Sequence, residues 1–252
     1  MIDSNLAYPD FVGVTGQQNT PPGAHKTVHA WVDDARITRE SFALDLACST
    51  GFSGREVHAD TSARIHGIDI SEASIETARQ LAKGNPALSY QIADAASLPL
   101  ADETFTHVLG GCNFGFIHQR HEALNEVARV LRPGGLLCVS SFHYTAPPPS
   151  AVLERVGSAI GFTPDPRRDY RFWRDFFGTE FELVTERKSA LPVQSDWRLR
   201  RAVAKAIRSS PTLRAGSHED LGMAYERLLE IRRALNTHRQ YQGLSVAIWR
   251  KR

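Results

Sequence analysis

Long apolar runs are missing from this chain. No stretch approaches the ~18 consecutive apolar residues of a membrane-spanning helix. The amino terminus, MIDSNLAYPDF, has neither the basic start nor the hydrophobic segment of a secretory signal. Cysteine is scarce: Cys48, Cys112 and Cys138 lie far apart, each in or beside an apolar run. With no CxxC pair and no Cys/His ligand spacing, neither a disulfide framework nor a zinc site is supported, and no metal is expected. Excess charge is missing too. The 30 Lys and Arg face 28 Asp and Glu, a formal net charge of +2. That balance gives no reason to expect nucleic acid or an anionic membrane as partner. The expectation is a cytoplasmic protein, monomer or homodimer, acting on a small molecule.

What is present is ordinary globular material. The 252 residues are 42% apolar and 23% charged, enough to bury a substantial core as one domain. Residues 1–23 are rich in Pro, Gly, Asn and Gln and read as loop, with Tyr8, Phe11 and Val12 as anchors. HKTVHAWVDD then reads as a short helix. From Phe42 strand and helix signals alternate: FALDLA, GFSGREVHAD, ARIHGIDI, SEASIETARQLAKG, LSYQIAD, DETFTHVLGG, HEALNEVARVLRPGG and LLCVSSF. Such alternation argues for a parallel sheet covered on both faces. After TAPPPS the pattern changes. A helix is expected from Ser150, a strand over FELVTERKSALPV, helices near 195–208 and 217–238, and a closing strand GLSVAIWRKR that pairs antiparallel.

Three strand ends carry an acid. LDLACSTG ends the first with Asp45 and then small residues, which let a ligand approach the backbone ahead of a helix with free N–H groups. GIDIS places Asp69 at the second, where a carboxylate can accept from both hydroxyls of a ribose, and IADAASLPL places Asp94 at the third, suited to an adenine amino group. A single Asp at a strand end is more often a cap or turn former. Three in succession define one concave edge of the kind where open sheets bind ligands.

The region 42–142 resembles the class I S-adenosylmethionine-dependent methyltransferases. DLACSTG is similar to the family's DLGCGTG, with Asp45, Ala47, Ser49 and Gly51 at the matching positions. GIDIS resembles the ribose motif, with Ile70 beside the adenine, and IADAASLPL the adenine motif, with Asp94 and Ala95 as the matching pair. The resemblance implies a Rossmann-like doubly wound seven-stranded sheet, mostly parallel with an antiparallel last strand and helices on both faces. It further implies S-adenosylmethionine as cofactor and a core over 42–142, whose fourth strand ends near Gly111. TPPGAHKTVHAW is similar to a helix that closes over the cofactor in a subset of members, so residues 1–34 are expected to form a lid in which Thr27 meets the methionine end. Residues 145–240 would complete the acceptor pocket. The chain departs from the pattern where Ala47 and Ser49 replace glycines and Thr106 replaces an acid in the fourth strand.

The methyl carrier brings its own leaving group, so the protein chiefly positions an acceptor and, for a hydroxyl acceptor, supplies a base. His143 and Tyr144, just after the fifth strand, and His25 in the early helix are the candidates. His25 and His29 share a face but lack further ligands for a metal. The aromatic run DYRFWRDFFGTEF could stack on an acceptor or simply pack a helix, and Arg167, Arg168, Arg171 and Arg174 could receive a carboxylate or phosphate. The expected activity is methyl transfer to O, N or C of a small hydrophobic or aromatic metabolite. The alternative is an altered member that binds the cofactor or a partner without transfer. A nicotinamide oxidoreductase is disfavoured because ACSTGFSG lacks the first glycines of G-x-G-x-x-G.

Overall fold

Alternating apolar runs and amphipathic segments become strands and helices in the computed structural model, which describes residues 6–252. Helix α1 spans Tyr8–Val14 and α2 His25–Ala35. The core follows as β1 (Phe42–Leu46), α3 (Phe52–Thr61), β2 (Arg64–Asp69), α4 (Glu72–Ala82), β3 (Leu88–Ile92) and β4 (Phe105–Gly111). A 3₁₀ turn, Asn113–Gly115, leads to α5 (Arg120–Val130) and β5 (Leu131–Tyr144). The remainder is α6 (Ser150–Ile160), α7 (Tyr170–Gly178), β6 (Phe181–Ala190), α8 (Asp196–Ser209), α9 (Pro211–Arg214), α10 (His218–His238) and β7 (Gln242–Lys251).

The seven strands form one sheet in the order β3-β2-β1-β4-β5-β7-β6. Strands β1 to β5 pair in parallel, and β7 runs antiparallel to both neighbours. Strand order reverses between β1 and β4, which opens a crevice at their carboxyl ends. Leu44, Leu46, Val108, Leu137 and Val139 pack on one side with Val127 of α5 and Trp173 and Phe177 of α7. Ala43, Ile65, Leu109 and Cys138 pack on the other with Trp31 of α2 and Phe52 and Val57 of α3. A third cluster joins Phe11 to α6, α8 and α10 through Val156, Val203 and Leu229. The aromatic run therefore serves packing: Trp173, Phe176 and Phe177 are core residues.

Two local expectations are corrected. Residues 8–14 are helical rather than loop. Pro9 sits in the first turn, where a missing N–H costs nothing. Gly13 permits α1 to lie against α4, since a Cβ there would sit 2.5 Å from the Ser74 backbone nitrogen. The LRPGG segment is not helical: α5 stops at Val130 and β5 begins at Leu131. Leu131 pairs with Phe105 and Leu136 with His107, so the intervening residues bulge from the ladder, with Gly134 at φ 71°.

The α1 segment is tied down by side chains of other elements. Ser74 Oγ donates to Pro9 O at 3.0 Å, Thr77 Oγ1 to Gly13 O at 2.9 Å, and Ser71 Oγ to Asp10 Oδ1 at 2.6 Å. Thr50 Oγ1 donates to Gln17 O at 2.9 Å, and Ser210 Oγ to Thr15 O at 2.6 Å. Gly13→Val forces α1 off this seat. Limited proteolysis should then cut within residues 8–17 at least tenfold faster, while the sheet's far-ultraviolet circular dichroism is retained.

Candidate active site

The short strand β1 ends in a chain reversal that leads directly into α3. Asp45 Oδ2 accepts the Gly54 N–H at 2.9 Å, holding the first turn of α3 against the strand end. Asp69, at the end of β2, uses both oxygens: Oδ2 accepts the Ser49 N–H at 2.8 Å and Oδ1 the Ser71 N–H at 2.9 Å. Between them Ala47, Ser49 and Gly51 all take positive φ, at 46°, 50° and 75°. These are the three positions where the resembling family places glycine. The backbone requirement is met here with two side chains in the left-handed region, at a cost of about 1–2 kcal/mol each. Gly51 has no such latitude, because a Cβ would lie 2.7 Å from the Tyr90 ring.

Burial raises both carboxyls. Asp45 is pushed up to about 7, chiefly by desolvation, against the opposing Gly54 N–H. Asp69 is raised for the same reason, with the Ser71 and Ser49 N–H groups opposing. Asp94 lies on the same edge, since Ala93 N–H donates to Asp69 O at 3.0 Å. Its exposed carboxylate accepts the Ala96 N–H at 2.9 Å, and Ala95 beside it is buried. Ile70 is 68% exposed at the lip of the crevice, an unusual place for a large apolar side chain.

The donor set fits an adenosyl group with a methionine arm. Acceptors line the β2 and β3 ends, and the Ser49 hydroxyl and Asn113 side-chain oxygen are buried without a partner. Asn113 donates from Nδ2 to Leu46 O, tying the turn after β4 to the end of β1. Gly111 sits beneath the amino-terminal loop, with room for a Cβ 3.4 Å from Pro21. Thr27 Oγ1 donates to Pro22 O, so in this arrangement its hydroxyl braces its own loop. Ala24, between them, has φ 47° and ψ −124°, a strained conformation for a residue with a side chain.

The three candidate bases do not converge. His25 is on the surface, its Nδ1 2.7 Å from Glu56 Oε2, with His29 paired to Asp60 at 3.4 Å. These contacts tie α2 to α3, and no group of three metal-ligating side chains exists among the described residues. His143 and Tyr144 are consecutive on β5 and point to opposite faces. His143 packs edge-on against Tyr170 at 5.5 Å and lines an open cavity of about 420 Å³ with Lys188, Arg239 and Gly243. Its Nδ1 is buried without a partner, and burial lowers its pKa. Tyr144 lies 2.8 Å from His238 Nε2 through its hydroxyl. Burial takes Tyr144 up to about 12 and His238 down to about 4, so a neutral phenol meets a neutral imidazole at pH 7. His238 gave no sequence signal, since it ends a helix about 90 residues away in sequence.

Two outcomes follow from this geometry. Ala47→Gly relieves the left-handed strain and should stabilise the fold by up to about 1 kcal/mol, net of glycine's entropy. Gly51→Ala should destabilise it by more than that, and urea titrations measure both. Asp45 binds its proton more tightly folded than unfolded, so its contribution to stability falls as pH rises from about 4 to about 7. The stability of Asp45→Asn relative to wild type should therefore grow across that window and level off above it, as read by denaturation at each pH.

Comparison with known proteins agrees with this architecture. The family described as "Methyltransferase domain" matches residues 44–139. The malonyl-[acyl-carrier protein] O-methyltransferase of Methylococcus capsulatus is 37% identical over 100 residues, 39% of this chain and 36% of that protein. The O-methyltransferase resE of Aspergillus sclerotiorum is 33% identical over 132 residues, 47% of this chain and 49% of that protein. The chain thus spans about a third to a half of the length of these curated relatives. Among solved structures, that of the MccD protein superposes with a TM-score of 0.79 at 42% identity, covering 93% of this chain and 100% of MccD. By sequence, topology and strand-end chemistry together, the chain belongs to the class I S-adenosylmethionine-dependent methyltransferase family.

Proposed function

We propose that the protein transfers the methyl group of S-adenosylmethionine to O, N or C of a small-molecule acceptor. The observation that carries this reading is the 47–51 loop, held in left-handed backbone by carboxylates at two neighbouring strand ends. In this reading the free lone pairs of Asp69 accept the ribose hydroxyls and Asp94 accepts the adenine amino group. Ile70 and Ala95 cover the adenine faces. Ala47, Ser49, Gly51 and Gly111 flank the methionine arm, and the segment from α1 through Thr27 excludes water above it.

Bound S-adenosylmethionine supplies a methyl already activated on a sulfonium, so the chain's own work is orientation and proton removal. His143 is the proposed base for a hydroxyl acceptor. Its depressed pKa keeps it neutral at pH 7, the form a base needs. The Tyr144–His238 pair fixes the other face of β5 and offers a hydroxyl for orienting an acceptor. His25 is proposed only to steady α2 against α3.

Calorimetry should show binding of both S-adenosylmethionine and S-adenosylhomocysteine, weakened about tenfold or more in Asp69→Asn, since hydrogen bonds to a charged group contribute about 1.5–3 kcal/mol. Turnover is then read from the nucleoside product after incubation with small-molecule extract. S-adenosylhomocysteine supports methyl transfer. Release of 5′-methylthioadenosine would show that the other sulfonium arm moves and would overturn methyl as the transferred group. Failure to bind either nucleoside, or binding without conversion, would overturn the reading as well.

A further inference from the structure

Four arginines of the segment before and within α7 stand out in the sequence, and folding separates them. Arg167 and Arg171 are exposed and Arg174 is half-buried, whereas Arg168 is only 8% exposed. It sits where β4 and β5 end: one guanidinium N–H donates to Gly115 O, and its own backbone carbonyl accepts the Tyr144 N–H at 3.0 Å. Its Nε–H is buried with no partner. Asp165, the acid that acts on Arg168, is taken by Arg167 in a forked pair of 2.9 and 3.0 Å, which holds that carboxyl down at about 2. From the start of α5 a second cation, Arg120, acts on Arg168 by repulsion, and its Nε–H is likewise buried and unpartnered. Among the described residues neither arginine has an ion-pair partner.

A largely buried guanidinium repelled by a second cation, with Asp165 already forked to Arg167, is poorly compensated as it stands. Burying a cation is costly unless it is paired, and a like neighbour adds repulsion. The donors left idle are what an oxyanion uses, since a guanidinium fork matches two oxygens of a carboxylate or phosphate. The surroundings supply the rest of a binding site. Phe162 lies under the Arg168 guanidinium at 5.6 Å and packs against Phe116 at 5.3 Å, and Phe116 is 47% exposed. An apolar shelf thus adjoins a partly buried, positively charged corner.

Resting on the methyl-transfer reading, we infer that the acceptor carries an oxyanion, a carboxylate or a phosphate, bound between Arg120 and Arg168 with its apolar portion on the Phe116–Phe162 shelf. This narrows the acceptor from a hydrophobic metabolite to an anionic one. It also gives the carboxyl edge of β4 and β5 a recognition role distinct from the carboxylates of β1 to β3.

The test is calorimetric titration at fixed ionic strength with inorganic phosphate and, separately, with benzoate. Each is run on the nucleoside-free protein and on protein saturated with S-adenosylhomocysteine. Saturable binding of one probe is expected, weakened at least tenfold in Arg168→Met and in Arg120→Met and unchanged in the surface control Arg171→Met. Tighter phosphate identifies a phosphorylated acceptor and tighter benzoate a carboxylic acid. Should Arg168→Met fail to fold, Arg120→Met and Arg168→Lys, which retains the charge but loses the fork, give the same comparison. Absence of saturable binding by both probes, or binding indifferent to Arg120 and Arg168, overturns the inference. Oxyanion binding that survives in a protein unable to bind S-adenosylhomocysteine would overturn the methyl-transfer reading and leave the arginine site standing.

Discussion

The reversal between β1 and α3 takes five residues, and two buried carboxylates keep it in place. Asp45 holds the far side of the turn through Gly54, and Asp69 holds its middle through Ser49. Each bond is charge-assisted when the acid is ionised, yet burial favours the protonated form and raises both carboxyls. The loop's left-handed backbone at Ala47, Ser49 and Gly51 exists because these anchors outweigh its local strain. Everything ligand-facing on this side of the sheet takes its position from that turn: the start of α3, the seat of Thr50, and through Thr50 the amino-terminal segment that lies above.

That segment shows how one constraint propagates. The Thr50 hydroxyl holds Gln17, the Ser71 hydroxyl holds Asp10, and Asp69 in turn accepts the Ser71 N–H. Helix α1 is thereby coupled to the same carboxylate proposed to hold a ribose. A ligand drawing on the Asp69 lone pairs would change the charge balance beside α1, so the two would act on one equilibrium. The close approach of Pro21 to Gly111 sets the loop before α2 over the end of β4.

The sheet and the acid-bearing strand ends were legible in the sequence because both follow from short-range pattern. Apolar runs of five or six residues flanked by helix signals leave few alternatives. Other features were illegible for physical reasons. Helix α1 contains Pro9 and Gly13, residues that count as breakers by composition. Here Pro9 sits in the first turn and Gly13 answers a packing demand from α4 that no local window contains. The opposite aim of His143 and Tyr144 was available from the two-residue period of a strand, but only once both were assigned to β5. His238 and Arg120 carried no signal, since the residues they act on, Tyr144 and Arg168, are distant in sequence. Arg168 looked like its three neighbours; its burial and unmatched charge are products of tertiary packing alone.

Charge is distributed unevenly along the carboxyl edge of the sheet, although the chain as a whole is nearly neutral. Asp45, Asp69 and Asp94 occupy the β1–β3 side, and Arg120 and Arg168 the β4–β5 side. In a crevice with low-dielectric walls such a division orients what binds, because each end repels the wrong partner as well as attracting the right one. A cationic sulfonium donor with hydroxyl and amino groups suits the acidic side, and an anionic acceptor suits the basic side. Their reacting atoms would then meet near the reversal of strand order, where β1 and β4 part and neither charged cluster intrudes. Little specialised chemistry is needed at that meeting point once both partners are oriented from their far ends. On this account the separation of His25, His143 and Tyr144 follows from how the work would be divided, with selectivity held in the arginines and affinity for the donor in the carboxylates.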